Sequence, residues 1–219
     1  MSWSDLATWI GLLVAFVTAS LALREYKTTQ RWKRAEFLAS EVDKFFQTKQ
    51  VATALLLIDY SLIRLSLDGQ RASRGDPNSF KADEALIISA LRVHTEFEDE
   101  TEKFNDQETI VRLAFDELLT GFERFAHHVE SSLISLEDLE TYVGYWVEKL
   151  ADPRSKWKSA EFYTALARFV DAYQYKRAKR LFRQMGHPLS ALTHQATAGR
   201  PQESGTTPPV QTTVFHGAD

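Results

Sequence analysis

The sequence predicts an all-α protein, with one N-terminal transmembrane helix, a cytoplasmic bundle of about five helices and a disordered C-terminal tail. Three observations carry this. Residues 6–23 are an uncharged, almost wholly apolar run of eighteen. The following body repeats apolar residues at steps of three and four with few Gly or Pro interruptions. Past Pro188 the chain turns to Thr, Gln, Ser, Gly and Pro, a composition that cannot bury a core. The divisions are therefore an anchor over 1–23, a basic juxtamembrane collar over 24–34, a bundle domain over 35–187 and a polar tail over 188–219.

An eighteen-residue helix is about 27 Å long, close to the roughly 30 Å hydrocarbon layer. A cleaved signal peptide fits poorly: the leader Met1-Ser2-Trp3-Ser4-Asp5 has no basic side chain, and Ser20-Leu21-Ala22 is a weak cleavage site. A buried core helix fits less well than an anchor, because no polar face runs along the stretch. Arg24, Lys27, Arg31, Lys33 and Arg34 follow the span and no basic residue precedes it, so the N-terminus is expected outside and the body in the cytoplasm. The absence of cysteine is compatible with a reducing compartment. Within the span Ala7, Gly11, Ala15 and Ala19 recur every four residues on one face. Such a stripe lets two spans pack closely, although small residues are also common in solitary spans.

In the body, Trp32, Ala35, Leu38, Val42, Phe45 and Phe46 mark an amphipathic helix that continues from the span as one rod or bends near Thr28-Thr29. Leu55, Leu56, Leu57, Ile58, Leu62, Ile63 and Leu65 read as a central core helix, and residues 68–79 as a turn-rich internal loop. Helix resumes near Lys81 with Leu86, Ile87, Ala90, Leu91, Val93 and Phe97 facing the core, and turns acidic at Glu96, Glu98, Asp99, Glu100 and Glu102. Asn105 and Glu108 form a capping box ahead of a stripe of Ile110, Leu113, Ala114, Leu118, Phe122, Phe125, Ala126 and Val129. Ser135 caps a helix through Leu139, Val143, Trp146 and Leu150, which Asp152-Pro153 ends. A last helix runs from near Ser159 to Arg183, its final turns bearing Lys176, Arg177, Lys179, Arg180 and Arg183 at the negative end of the dipole.

Net charge is −4 but unevenly spread. The collar carries +4, residues 81–150 carry −11 and residues 152–190 carry +6. Anionic headgroups would draw both basic segments to the membrane and leave the acidic helices toward the cytosol. Alternatively, acidic and basic helices pair inside the bundle. Arg24, Lys27, Arg31, Trp32, Lys33 and Arg34, with the five cations of the last helix, are the candidate membrane-surface residues. Glu96, Glu98, Asp99, Glu100 and Glu102 are the candidate partner-facing residues.

No phosphate-binding loop, dinucleotide fingerprint or nucleophile elbow occurs, so common nucleotide and hydrolase chemistries have no motif here. His127 and His128 with Glu123 and Glu130 are the best metal or catalytic candidates, yet a site needs three or four ligands and His94 is the only other histidine among the body helices. Catalytic residues, cofactors and metals are accordingly not assigned. The basic helix could contact nucleic acid, but a headgroup surface suits a tethered chain better.

The span, the segment Arg31-Trp32-Lys33-Arg34-Ala35-Glu36-Phe37-Leu38 and the ending from Phe169 through Tyr173-Gln174-Tyr175-Lys176-Arg177 to Gly186 resemble small bacterial single-pass membrane proteins with a cytoplasmic helical domain. That resemblance implies an inner-membrane home and no transferable activity; some proteins with this layout are encoded near stress or phage-defence genes. The expected function is a non-enzymatic membrane-tethered adaptor or regulator that self-associates through its span and offers an acidic surface to a cytosolic protein. A membrane-stress or phage-defence effector whose assembled spans disturb the bilayer is the second reading, and a helical enzyme using His127 or His128 the third.

Overall fold

The computed structural model describes residues 3–73, 75–94 and 103–189. Its first helix, α1 (Trp3–Gln47), is a single unbroken rod of 45 residues, about 68 Å long. No bend occurs at Thr28, whose hydroxyl donates to the Arg24 carbonyl. The rod has two chemistries. Residues 9–36 are exposed on nearly every face, whereas Leu38, Val42 and Phe45 are buried. Thr48 alone separates it from α2 (Lys49–Asp59), in which Val51, Ala54, Leu55, Leu57 and Ile58 are buried.

The expected core helix stops at Asp59, and Leu62, Ile63 and Leu65 lie in a strand instead. Strand β1 (Leu62–Ser66) pairs antiparallel with β2 (Ser79–Asp83). The fold is therefore mostly helical with one small sheet rather than all-α. Ile63 and Leu65 face inward against Phe80 and Ala82, while Arg64 and Lys81 face out. This period of two is too short, at five residues per strand, to stand out against the surrounding helical pattern. The connection corresponds to the expected turn-rich loop. At its Gly69 (φ 81°) a side chain would be strained and would touch Ile110 and Thr53.

Helix therefore resumes not at Lys81 but at α3 (Glu84–Ala90), where Asp83 accepts from the Leu86 N–H at 2.9 Å. In α4 (Asp106–Glu130) both arms of the Asn105/Glu108 capping box form, each at 2.9 Å. This helix is the centre of the body: Val111, Phe115, Leu118, Leu119 and Phe122 are fully buried. Leu113, expected in that stripe, is 54% exposed. The helical period that buries Val111, Ala114 and Phe115 carries Leu113 out to the rim of the hairpin loop.

Helix α5 (Leu136–Ala151) has the expected Ser135 cap and ends before Asp152-Pro153. Asp152 is buried, with Arg154 bonded at 2.7 Å and His187 at 3.1 Å. The Arg154 guanidinium holds its carboxyl at about 2, below the usual carboxylate range. Because that pKa is depressed on folding, the stabilisation is complete above about pH 4 and is lost as pH falls toward 2. Asp152→Asn is expected to cost about 1–2 kcal/mol at neutral pH, a figure discounted for the exposed arginine. Melting curves of parent and variant from pH 7 to 2 should converge at the acid end.

The expected final helix is two helices, α6 (Ala160–Ala172), capped by Ser159, and α7 (Lys176–Gln184). Gln174 takes a left-handed conformation (φ 63°) between them. The turn brings Tyr175, Ala178, Leu181 and Phe182 against the body, with Phe182 edge-on to Phe122 at 5.0 Å. Gly186, in a left-handed conformation (φ 86°), and Pro188 follow the end of α7. The tail from residue 190 lies outside the described residues.

Candidate functional site

Length, composition and exposure single out the first part of α1. Near the N-terminus it is long and apolar enough to cross a membrane, and none of the qualifying window is buried by the other described residues. Trp9, Ile10, Leu12, Leu13, Val14, Phe16, Val17, Leu21 and Leu23 are all exposed. The hydroxyls of Thr18 and Ser20 donate to the carbonyls of Val14 and Phe16, each at 2.8 Å, so both are satisfied within the helix. Gly11, Ala15 and Ala19 are exposed, and a Cβ on Gly11 would meet nothing within 4 Å. The side chain of Ala7 lies outside the described ones.

Arg24, Lys27, Arg31, Trp32, Lys33 and Arg34 are exposed around the same helix. Packing then fixes which end of the body they adjoin. Phe45 contacts Phe122 and Phe125, while Phe37 meets His128 edge-on at 5.3 Å, so α1 and α4 run antiparallel. The C-terminal end of α4 therefore lies beside the collar. There Glu130 accepts from Arg177 at 3.1 Å and also pairs with Arg180, which brings the basic face of α7 to that end. The turn after α4 adds exposed Leu133.

The break at Gln174 reverses the expected electrostatics of the basic helix. Lys176, Arg177 and Lys179 occupy the N-terminal turns of α7 rather than the last turn of a longer helix, and there they oppose the dipole. Carboxylates offset this: Glu123 accepts from the Ala178 N–H at 2.8 Å, Glu130 holds two arginines and Asp171 pairs with Lys179. Acidic and basic segments thus do pair within the body, while Lys176, Arg177, Arg180 and Arg183 keep exposed side chains.

The same contacts commit the carboxylates beside the histidine pair. Glu123 caps α7 and Glu130 holds Arg177 and Arg180. His127 is exposed. His128 is half-buried, with Nε2 unpartnered among the described residues, and burial lowers its pKa. No group of three or more His, Cys, Asp or Glu side chains suited to a metal ion occurs among the described residues. Glu96, Glu98, Asp99, Glu100 and Glu102 lie outside them.

Two clusters escaped the sequence reading. Arg112 donates to the carbonyls of Ala90 and Arg92 and sits over the rings of Phe104, Phe169 and Tyr173, joining α3, α4 and α6. On the hairpin, Arg64, Arg71 and Lys81 line an open cleft beside Tyr60. No family model, curated protein or solved structure matches the chain.

Proposed function

We propose that the chain is a membrane-tethered, non-enzymatic adaptor or regulator of the bacterial inner membrane, its N-terminus outside and its body cytoplasmic. The supporting observation is the uncovered apolar part of α1. Burying nine large apolar side chains is worth on the order of 15 kcal/mol, and with none of the described residues covering them a bilayer supplies the missing contact. The collar and the basic end of α7 suit an anionic leaflet on the same side. The span associates with a second copy through Ala7, Gly11, Ala15 and Ala19, and residues 96–102 face a cytosolic protein.

Crosslinking in native membranes tests this reading. The full chain is expected in the membrane fraction as a crosslinked dimer, and a chain begun at Arg24 in the soluble fraction. Gly11→Leu with Ala15→Leu should weaken the dimer without releasing the chain. An unchanged dimer removes the stripe from the proposal, and a soluble full chain removes the anchor.

The unbroken course of α1 favours a second reading, an effector of membrane stress. One rod joins span to core with no joint between them, so a rearrangement around Phe45 would turn the span as a rigid body. Overexpression toxicity that disappears on deleting residues 1–23 would support it.

A further inference from the structure

We propose that the outer face of the hairpin binds a phosphate-bearing small molecule or headgroup through Arg64, Arg71 and Lys81, beside the ring of Tyr60. This goes beyond the tethering role, and only the headgroup source rests on it. The register places Arg64 directly opposite Lys81 on the solvent face. Like charges so placed destabilise a strand pair. A third cation is folded onto the same place, since Leu65 bridges to Arg71 and the Ala72 N–H donates to the Arg64 carbonyl at 2.9 Å. The Arg71 guanidinium lies 5.7 Å from the centre of the Tyr60 ring.

Together these side chains line a cleft of about 320 Å³ with no carboxylate among its described lining residues. The neighbouring acids are committed elsewhere. Asp83 caps α3, Asp59 pairs with Lys149, Asp68 with Lys49, and Asp76 accepts from the Asn78 N–H. None of the three cations has an acidic partner among the described residues. Elsewhere in the body Lys149, Arg154, Arg177, Lys179 and Arg180 are each paired with a carboxylate. Arg64 is already held, half-buried, by a bond to the Ser79 hydroxyl at 3.2 Å. An anion with several acceptor oxygens would bridge the two guanidinium forks and the ammonium, offsetting the cross-strand repulsion. The cleft leaves room past one phosphate group for a second, or for a substituent beside Tyr60.

Exposed cations also discourage strands from pairing edge to edge, a role that needs no ligand. Titration calorimetry with pyrophosphate separates the two, using the full chain in phosphatidylcholine nanodiscs. Saturable binding is expected, weakened at least about tenfold by Arg64→Gln with Lys81→Gln and unchanged by Lys179→Gln on α7. Lys81→Gln alone should also weaken binding; because it relieves a like-charge pair and leaves the Arg64–Ser79 bond intact, its melting temperature without ligand should equal or exceed the parent's, so its lost binding would not reflect lost fold. In discs containing phosphatidylglycerol, unchanged affinity assigns the site to a free phosphorylated molecule, and competitive loss assigns it to a lipid headgroup. Absence of saturable binding, or equal weakening by Lys179→Gln, overturns the proposal.

Discussion

Phe45→Ala is expected to destabilise the body by about 4 kcal/mol, within the usual range for a buried phenylalanine, and to lower its melting temperature by roughly 8–16 °C. Phe45 is only 1% exposed and packs against Phe46, Phe122 and Phe125 with ring centres 5.1–5.6 Å apart. It seats the last turns of α1 on α4, and Gly121 makes the seat. A Cβ on Gly121 would lie 2.2 Å and 2.6 Å from two carbons of the Phe45 ring. Gly121→Ala should therefore also destabilise: overpacking of up to about 3 kcal/mol outweighs the roughly 1 kcal/mol that alanine gains over glycine in a helix. Combined with Phe45→Ala it should cost less than the sum, since the small side chain leaves space for the new methyl. Thermal unfolding of the four chains, followed by circular dichroism, gives the coupling. Strict additivity would show that ring and glycine do not meet.

Asp59→Ala is expected to cost about 2–3 kcal/mol, somewhat below a fully buried pair because the Asp59 side chain is 34% exposed. Its partner Lys149 is 3% exposed and lies over the rings of Tyr145 and Trp157. Burial alone would lower the Lys149 pKa; the bonds to Asp59 and Tyr145 outweigh it and raise it. Removing Asp59 strands that ammonium. Lys149→Met in the Asp59→Ala background should then recover part of the loss, because no buried charge remains to be satisfied. The Asp59 pKa is lowered, first by the Lys149 bond. The pair therefore contributes fully above the ordinary aspartate range, near pH 4, and progressively less as pH falls through the depressed value. Denaturant midpoints at pH 7 and pH 3 should differ less in the double variant than in the parent. A double variant less stable than Asp59→Ala would overturn this account.

Features decided within one or two turns of chain were legible in the sequence. Asn105 with Glu108, and Ser135, cap helices because a side-chain oxygen reaches an N–H three residues away wherever the helix packs. Asp152-Pro153 ends α5 for an equally local steric reason. The apolar stretch of α1 is readable from length and composition alone. The break at Gln174 was not legible. Helical periodicity runs through it, and the left-handed residue is favoured only because Tyr175 and Phe182 find places on α4. Leu113 was misplaced for a related reason: periodicity locates a stripe, but its centre depends on what packs against it.

Local composition and spacing mark the apolar run of residues 6–23, the basic collar behind it and the caps of α4 and α5. Packing between distant segments is what pairs residues 62–66 with 79–83, placing Arg64 against Lys81, lets Glu130 hold arginines 47 and 50 positions away, and lays Phe45 across Gly121. Capping and hydrophobic runs act between neighbours in the chain and leave a mark in local spacing. Strand register, distant ion pairs and close backbone approach arise only once separate segments compete for the same core.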